Sequence, residues 1–208
     1  NAVLYASYVI NHTMGDLNFD KVSCYLDDLV IFSKSFSEAI ETVDQVFQKL
    51  RAAGLMINTK KCTFFVPRLT YLGFVLSEQG IEPPEATCAL FRKMKVPTSV
   101  RETRGDLGEI NYYLRFIRNA AHILEPIHEL TRKGTQFKWE EKHQNAFTQI
   151  QEQLVNAPLL HHPDWHKDFV LFSDASDFAM GALLAQEADD GQALNTIRFF
   201  SLRAFTPV

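Results

Sequence analysis

The sequence predicts an α+β fold, and three observations carry that prediction. Short β-prone runs meet turn residues in the stretches 21–33, 62–82 and 169–200. Between them, apolar residues recur at helical spacing, twice behind a Ser-x-x-Glu cap. Strands joined by tight turns, with helices grouped between them, read as α+β. A chain of 208 residues, 46% of them hydrophobic, can bury one or two cores and does not have a disordered composition.

Taken in order, Val3, Ser7, Ile10 and Met14 keep helical spacing, so 1–14 reads as a helix that Gly15 and Asp16 end. Residues 21–33 read as strand, tight turn and strand. Val22, Cys24 and Leu26 lead into Asp27 and Asp28, which places both acids at the bend, and Leu29, Val30, Ile31 and Phe32 follow. Ser35 and Glu38 cap a helix whose apolar stripe is Phe36, Ile40, Val43, Phe47 and Leu50, packed on a sheet and stopped by Gly54. Strands are expected at 62–66 and 71–76, with turns at Pro67-Arg68 and 78–80, ahead of Ile81-Glu82. Gly73 inside such a strand has two readings: close approach of a ligand or another backbone, or a bulge.

Pro84 opens a helix to about Met94, and Pro97 ends that unit. Ser99 and Glu102 cap the next helix, with Leu107, Ile110, Leu114 and Ile117 along one face. Ile123, Leu124, Ile127 and Leu130 form a short helix that Gly134 breaks; Phe137-Lys138-Trp139 is extended. A helix from Glu140 buries Phe147, Ile150 and Leu154 and closes at Pro158. The run 169–176 is an apolar strand ending in an acid, with Val170, Phe172 and Asp174 on one face. Gly181–Ala185 and Ile197–Phe200 are two further strands, and Asp189-Asp190-Gly191 is a hairpin signal between them.

Charge and composition exclude some functions. No apolar run is long enough to cross a bilayer, and no basic-then-apolar leader opens the chain, so membrane partners are not expected. Cys24, Cys62 and Cys88 form neither a zinc pattern nor an even disulfide set, which points to reduced intracellular thiols. His161 and His162 lack a matching cluster of ligands. Net charge is −4, yet residues 92–118 carry seven bases against three acids. Such a stripe can track a phosphate backbone or be a solvated helix face.

The chemistry concentrates at Asp27 and Asp28. Adjacent carboxylates repel, and they stay ionised cheaply only where a cation or water reaches them. Oxygen-only donors suit Mg²⁺, and two such ions about 3.5–4 Å apart serve in-line phosphoryl transfer. An ordinary polar hairpin turn carries the same dipeptide. The flanks separate the two readings. The run Tyr25-Leu26-Asp27-Asp28-Leu29-Val30-Ile31-Phe32-Ser33 resembles the active-site hairpin of reverse transcriptases, in the form found in gypsy-type LTR retrotransposons and their retroviral relatives.

The resemblance extends over nearly the whole chain. It implies the end of a polymerase palm over 1–82, a thumb over 83–130, a connection over 131–167 and the first strands of an RNase H-like domain over 168–208. Asp27 would bind Mg²⁺ with Asp28 beside it, and Tyr25 would pack near the primer terminus. Tyr71-Leu72-Gly73-Phe74 looks like the hairpin that grips the primer end, which gives that role to Leu72, Gly73 and Phe74. Leu107-Gly108-x-x-Asn111-Tyr112-Tyr113-x-Arg115-Phe116-Ile117 resembles the thumb helix, with Gly108 and Tyr112 along the minor groove of a template–primer duplex. Read by spacing alone, the same pair fits ordinary helix packing. The order strand-Asp-Ala-Ser then Gly-Ala-x-Leu resembles the opening of the RNase H fold and makes Asp174 a metal ligand; a lone strand-end Asp is otherwise a cap.

The implied partners are an RNA or DNA template–primer, an RNA–DNA hybrid and deoxynucleotides. Two departures stand out. Asp106 occupies a position that the family usually gives to an aromatic residue, and Leu202 is one residue extra between Ser201 and Arg203. The resemblance also places a third palm Asp and the fingers before Asn1, and an RNase H Glu and further Asp residues after Val208. On that expectation each site is incomplete and the isolated chain is inactive. A non-catalytic nucleic-acid-binding relic and an inert, incomplete fold are the alternatives.

Overall fold

A computed structural model describes residues 2–176 and 179–203. The chain forms two compact units, Asn1–Pro67 and Arg68–Val208.

In the first unit, helix α1 (Ala2–Met14) runs into a 3₁₀ turn, followed by β1 (Val22–Tyr25), β2 (Asp28–Ile31) and helix α2 (Phe36–Ala52). β1 and β2 form a two-stranded antiparallel hairpin in which Tyr25 pairs with Asp28. The bend is therefore Leu26-Asp27, one residue earlier than expected, and Asp28 is the first residue of β2. Leu26 has φ 56°, the left-handed first central residue of a type II′ turn. Ser35 caps α2 by accepting from the Glu38 amide at 3.2 Å, while the Glu38 carboxylate turns back to the Lys34 amide at 3.0 Å. The core is Met14, Leu17, Val22, Val46 and Leu50. The expected stripe of α2 is only partly right: Leu50 and Thr42 are buried, but Phe36, Ile40 and Phe47 are exposed. Instead, Phe36 and Phe47 meet Phe65 and Phe64, with ring centroids 5.0 and 6.2 Å apart. Those rings belong to the 62–66 stretch, which is not a strand: Phe65 has φ 53°, and no neighbour among the described residues pairs with it.

The second unit begins with β3 (Arg68–Tyr71), β4 (Phe74–Ser77) and β5 (Gly80–Glu82). The single strand expected over 71–76 is two strands, because Leu72 (φ 46°) and Gly73 (φ 71°) form a type I′ turn. A further strand, β6 (Leu160–His161), adds to β5. It lies so close that a Cβ on Gly80 would collide with the Leu160 carbonyl.

Four helices cover the core: α3 (Glu85–Arg92), α4 (Val100–Tyr112), α5 (Ala120–Glu129) and α6 (Glu141–Val155). Ile110, Phe116, Ile117, Leu124, Ile150 and Leu154 are its most enclosed large side chains, each contributing about 1.5–3 kcal/mol by burial. The helix expected to run through Ile117 stops at Tyr112; Leu114–Phe116 tightens into a 3₁₀ turn, and Asn119 at φ 56° redirects the chain. Gln151 holds α3 by donating to the carbonyls of Phe91 and Met94 at 2.9 and 3.1 Å.

The last strands, β7 (Val170–Ala175), β8 (Ala179–Glu187) and β9 (Leu194–Arg203), form an antiparallel sheet in that order. Buried Gln186 fastens its base, accepting from the Asp164 amide and donating to the carbonyls of Asp164 and Lys167. Leu202 fits the ladder opposite Met180; the irregularity lies between Leu184 and Ala185, where Arg198 and Thr196 are the successive partners.

Candidate functional site

The β1–β2 hairpin carries Tyr25 and Asp28 as a facing pair, with Asp27 on the turn between them. All three are exposed, so water reaches the two carboxylates and offsets their mutual repulsion. Their donors fit Mg²⁺, which keeps several waters and takes one or two carboxylates together with substrate phosphates. Among the described residues no group of three or more His, Cys, Asp and Glu side chains is arranged to hold a metal.

In the second unit the structure joins two features that lie forty residues apart in sequence. The Tyr112 hydroxyl, at the end of α4, donates to the Leu72 carbonyl at 2.5 Å. Its ring stacks on Phe74, with centroids 5.0 Å apart and planes 9° apart. Tyr113 completes the clamp by donating to the Gly73 carbonyl at 3.1 Å. A Cβ on Gly73 would stand 3.1 Å from the Tyr112 ring, so glycine serves both the left-handed turn and this close approach. Leu72, Gly73, Phe74 and Tyr112 thus form one cluster. Tyr113 was not singled out by sequence; the adjacent Tyr112-Tyr113 pair was its only signal.

Gly108 lies one turn before Tyr112 on α4, exposed and with open space where a Cβ would stand. Helix packing therefore does not account for it. Gly105, one turn further back, is equally open. Asp106 is half-buried, and burial followed by the nearby Glu109 and Glu102 raises its pKa. The basic stripe is not one face. Arg92 pairs with Glu85 at 3.9 Å, Arg104 donates to the Thr131 carbonyl at 3.0 Å, and the Arg115 guanidinium sits 4.9 Å from the centre of the Phe74 ring.

Asp174 is exposed on β7 opposite Gly181. It lines a shallow apolar cleft with Met180, Phe200 and Leu202.

Residues 1–76 match the family model described as reverse transcriptase (RNA-dependent DNA polymerase), and residues 139–207 match the RNase H-like domain found in reverse transcriptase. The chain is 36% identical over 189 residues to the Tf2-3 and Tf2-7 transposon polyproteins of Schizosaccharomyces pombe, which covers 91% of this chain and 14% of each polyprotein. The fold is similar to that of a foamy viral protease-reverse transcriptase solved with double-stranded DNA, with TM-score 0.84 and 24% identity over 99% of this chain and 36% of that one. It is also similar to the same type of protein solved with an RNA/DNA hybrid, with TM-score 0.80 and 22% identity, covering 99% and 27%. The chain thus joins a stretch similar to reverse transcriptases to one similar to the RNase H-like domain found in them.

Proposed function

We propose that this chain is the template–primer-gripping segment of an RNA-directed DNA polymerase with an RNase H activity, of the gypsy type. Residues 1–82 are read as the end of the palm, 83–130 as thumb, 131–167 as connection and 168–208 as the start of the RNase H-like domain. The observation that carries the reading is the Tyr112 clamp, which fixes a thumb-helix ring against the Leu72-Gly73 turn. A primer end laid against that turn would meet backbone and aromatic surface, and duplex sugars would lie along the open stretch at Gly108.

Asp27 and Asp28 would hold Mg²⁺ together with nucleotide phosphates, and Asp174 would hold it at the hybrid-cleaving site. When bound, the ion supplies charge stabilisation for phosphoryl transfer. Tyr25, paired across the hairpin from Asp28, would line the primer terminus. The isolated chain is read as inactive, because neither acidic position gathers a third carboxylate among the described residues.

Gly108 offers the test. Gly108→Ala should raise stability by about 0.5–1 kcal/mol, because the helix gains a better former and nothing is displaced. Gly108→Leu should leave the melting temperature at or above wild type, yet weaken binding of template–primer at low salt at least severalfold. Equal binding by wild type and Gly108→Leu would count against the minor-groove role.

A further inference from the structure

Arg115 and Arg198 belong to elements that pack together. Arg115 lies on the 3₁₀ turn at 114–116 and Arg198 on β9, against which that turn rests. Each guanidinium sits over an aromatic ring, Arg115 over Phe74 and Arg198 over Phe200, both 4.9 Å from the ring centre. Such stacking holds the planar group while leaving its N–H edge open to an oxyanion. Arg115 is half-buried. Burial lowers its pKa, and the positive charge of Arg198 lowers it further, so the two cations feel one another. Among the described residues neither joins an ion pair, although acids outnumber bases in the chain. Like charges brought together without a carboxylate are unfavourable until an anion joins them.

The neighbours say which anion. Phe74, beneath Arg115, is the ring on which Tyr112 stacks. Phe200, beneath Arg198, lines the Asp174 cleft. The arginine pair therefore lies between the two features already described. Arg198, Tyr112 and Phe200 are all exposed, so the surface is an open track rather than an enclosing pocket. We propose that Arg115 and Arg198 together bind a backbone phosphate of a nucleic-acid duplex running between the Leu72-Gly73 turn and the Asp174 cleft. The assignment rests on the template–primer reading above. A free phosphate presents the same oxygens, and the test separates the two sources.

The test titrates a short labelled RNA–DNA hybrid against the full chain by anisotropy over a range of salt. The double variant Arg115→Gln/Arg198→Gln should flatten the slope of log affinity against log salt by about 0.7–0.9, the contribution of one phosphate, and each single variant by part of that. Arg115→Lys should keep the slope, because it keeps the charge. Inorganic phosphate at fixed ionic strength should not compete better against wild type than against the double variant. Wild-type binding with slopes unchanged in the glutamine variants would overturn this inference alone. Selective competition by phosphate with unchanged slopes would reassign the pair to a free anion. No hybrid binding by wild type at low salt would overturn both this inference and the template–primer reading. Arg198 is exposed, so its variant keeps the test valid if Arg115→Gln fails to fold.

Discussion

Gly73 has two tasks. It takes a left-handed conformation that Leu72 beside it also holds, and it leaves room for the Tyr112 ring. Gly73→Ala should therefore cost more than strain alone, about 1–2 kcal/mol. That corresponds to a fall of roughly 2–8 °C in melting temperature for a chain of this size. A scanning calorimetry trace unchanged by Gly73→Ala would show that the clamp does not constrain the turn. Tyr112 and Gly73 were legible in the sequence as a ring and a glycine, each with a role implied by resemblance. Their contact was not legible, because nothing in a local pattern reports a bond between residues forty positions apart. Arg115 and Arg198 were hidden for the same reason: Arg115 meets Phe74 forty-one positions away, and the fold brings its turn against the strand that carries Arg198, far outside the basic stripe.

Helices read more reliably than strands here. Ser35 and Ser99 both accept from the amide three residues on, at 3.2 Å, and both helices start where the caps place them. In each case the acid three residues on bonds to the residue before the cap rather than to the cap itself. Strand limits failed where a bulky residue takes positive φ. Phe65 breaks the expected strand at 62–66, and Leu72 splits the one expected at 71–76, although Phe and Leu carry no such signal in sequence. Strand β6 was missed because a two-residue piece has no periodicity to read.

Helix α6 shows how an element responds to pH. Its buried His143 accepts from the Glu140 amide through Nδ1 at 2.8 Å. Burial, with help from Lys142, holds its pKa below the ordinary 6.5. The unfolded chain then binds a proton that the folded chain resists, so stability is full above 6.5 and falls as pH drops toward the folded value. Urea titrations between pH 7 and 5 should show that loss, and His143→Gln should flatten it. A parallel decline in the variant would assign the loss to other groups.

At the scale of the molecule, the last sheet is the least protected. β7 is an outer strand, and its Leu171 and Phe172 are 63% and 49% exposed, beside Met180 at 58% and Leu202 at 67%. An exposed apolar edge strand templates pairing with another chain. The 208-residue chain should self-associate as concentration rises, and Leu171→Lys should reduce that association in sedimentation velocity runs. Identical profiles would show that the edge is not the contact.

On the proposed reading, Asp27 and Asp174 would serve two different reactions of one enzyme. The direct measurement is primer extension and hybrid cleavage, side by side, in a polymerase that carries this chain. Asp27→Asn should cut extension by at least about a hundredfold while hybrid cleavage continues, and Asp174→Asn should do the reverse. Extension that survives Asp27→Asn, or cleavage that survives Asp174→Asn, would contradict the assignment.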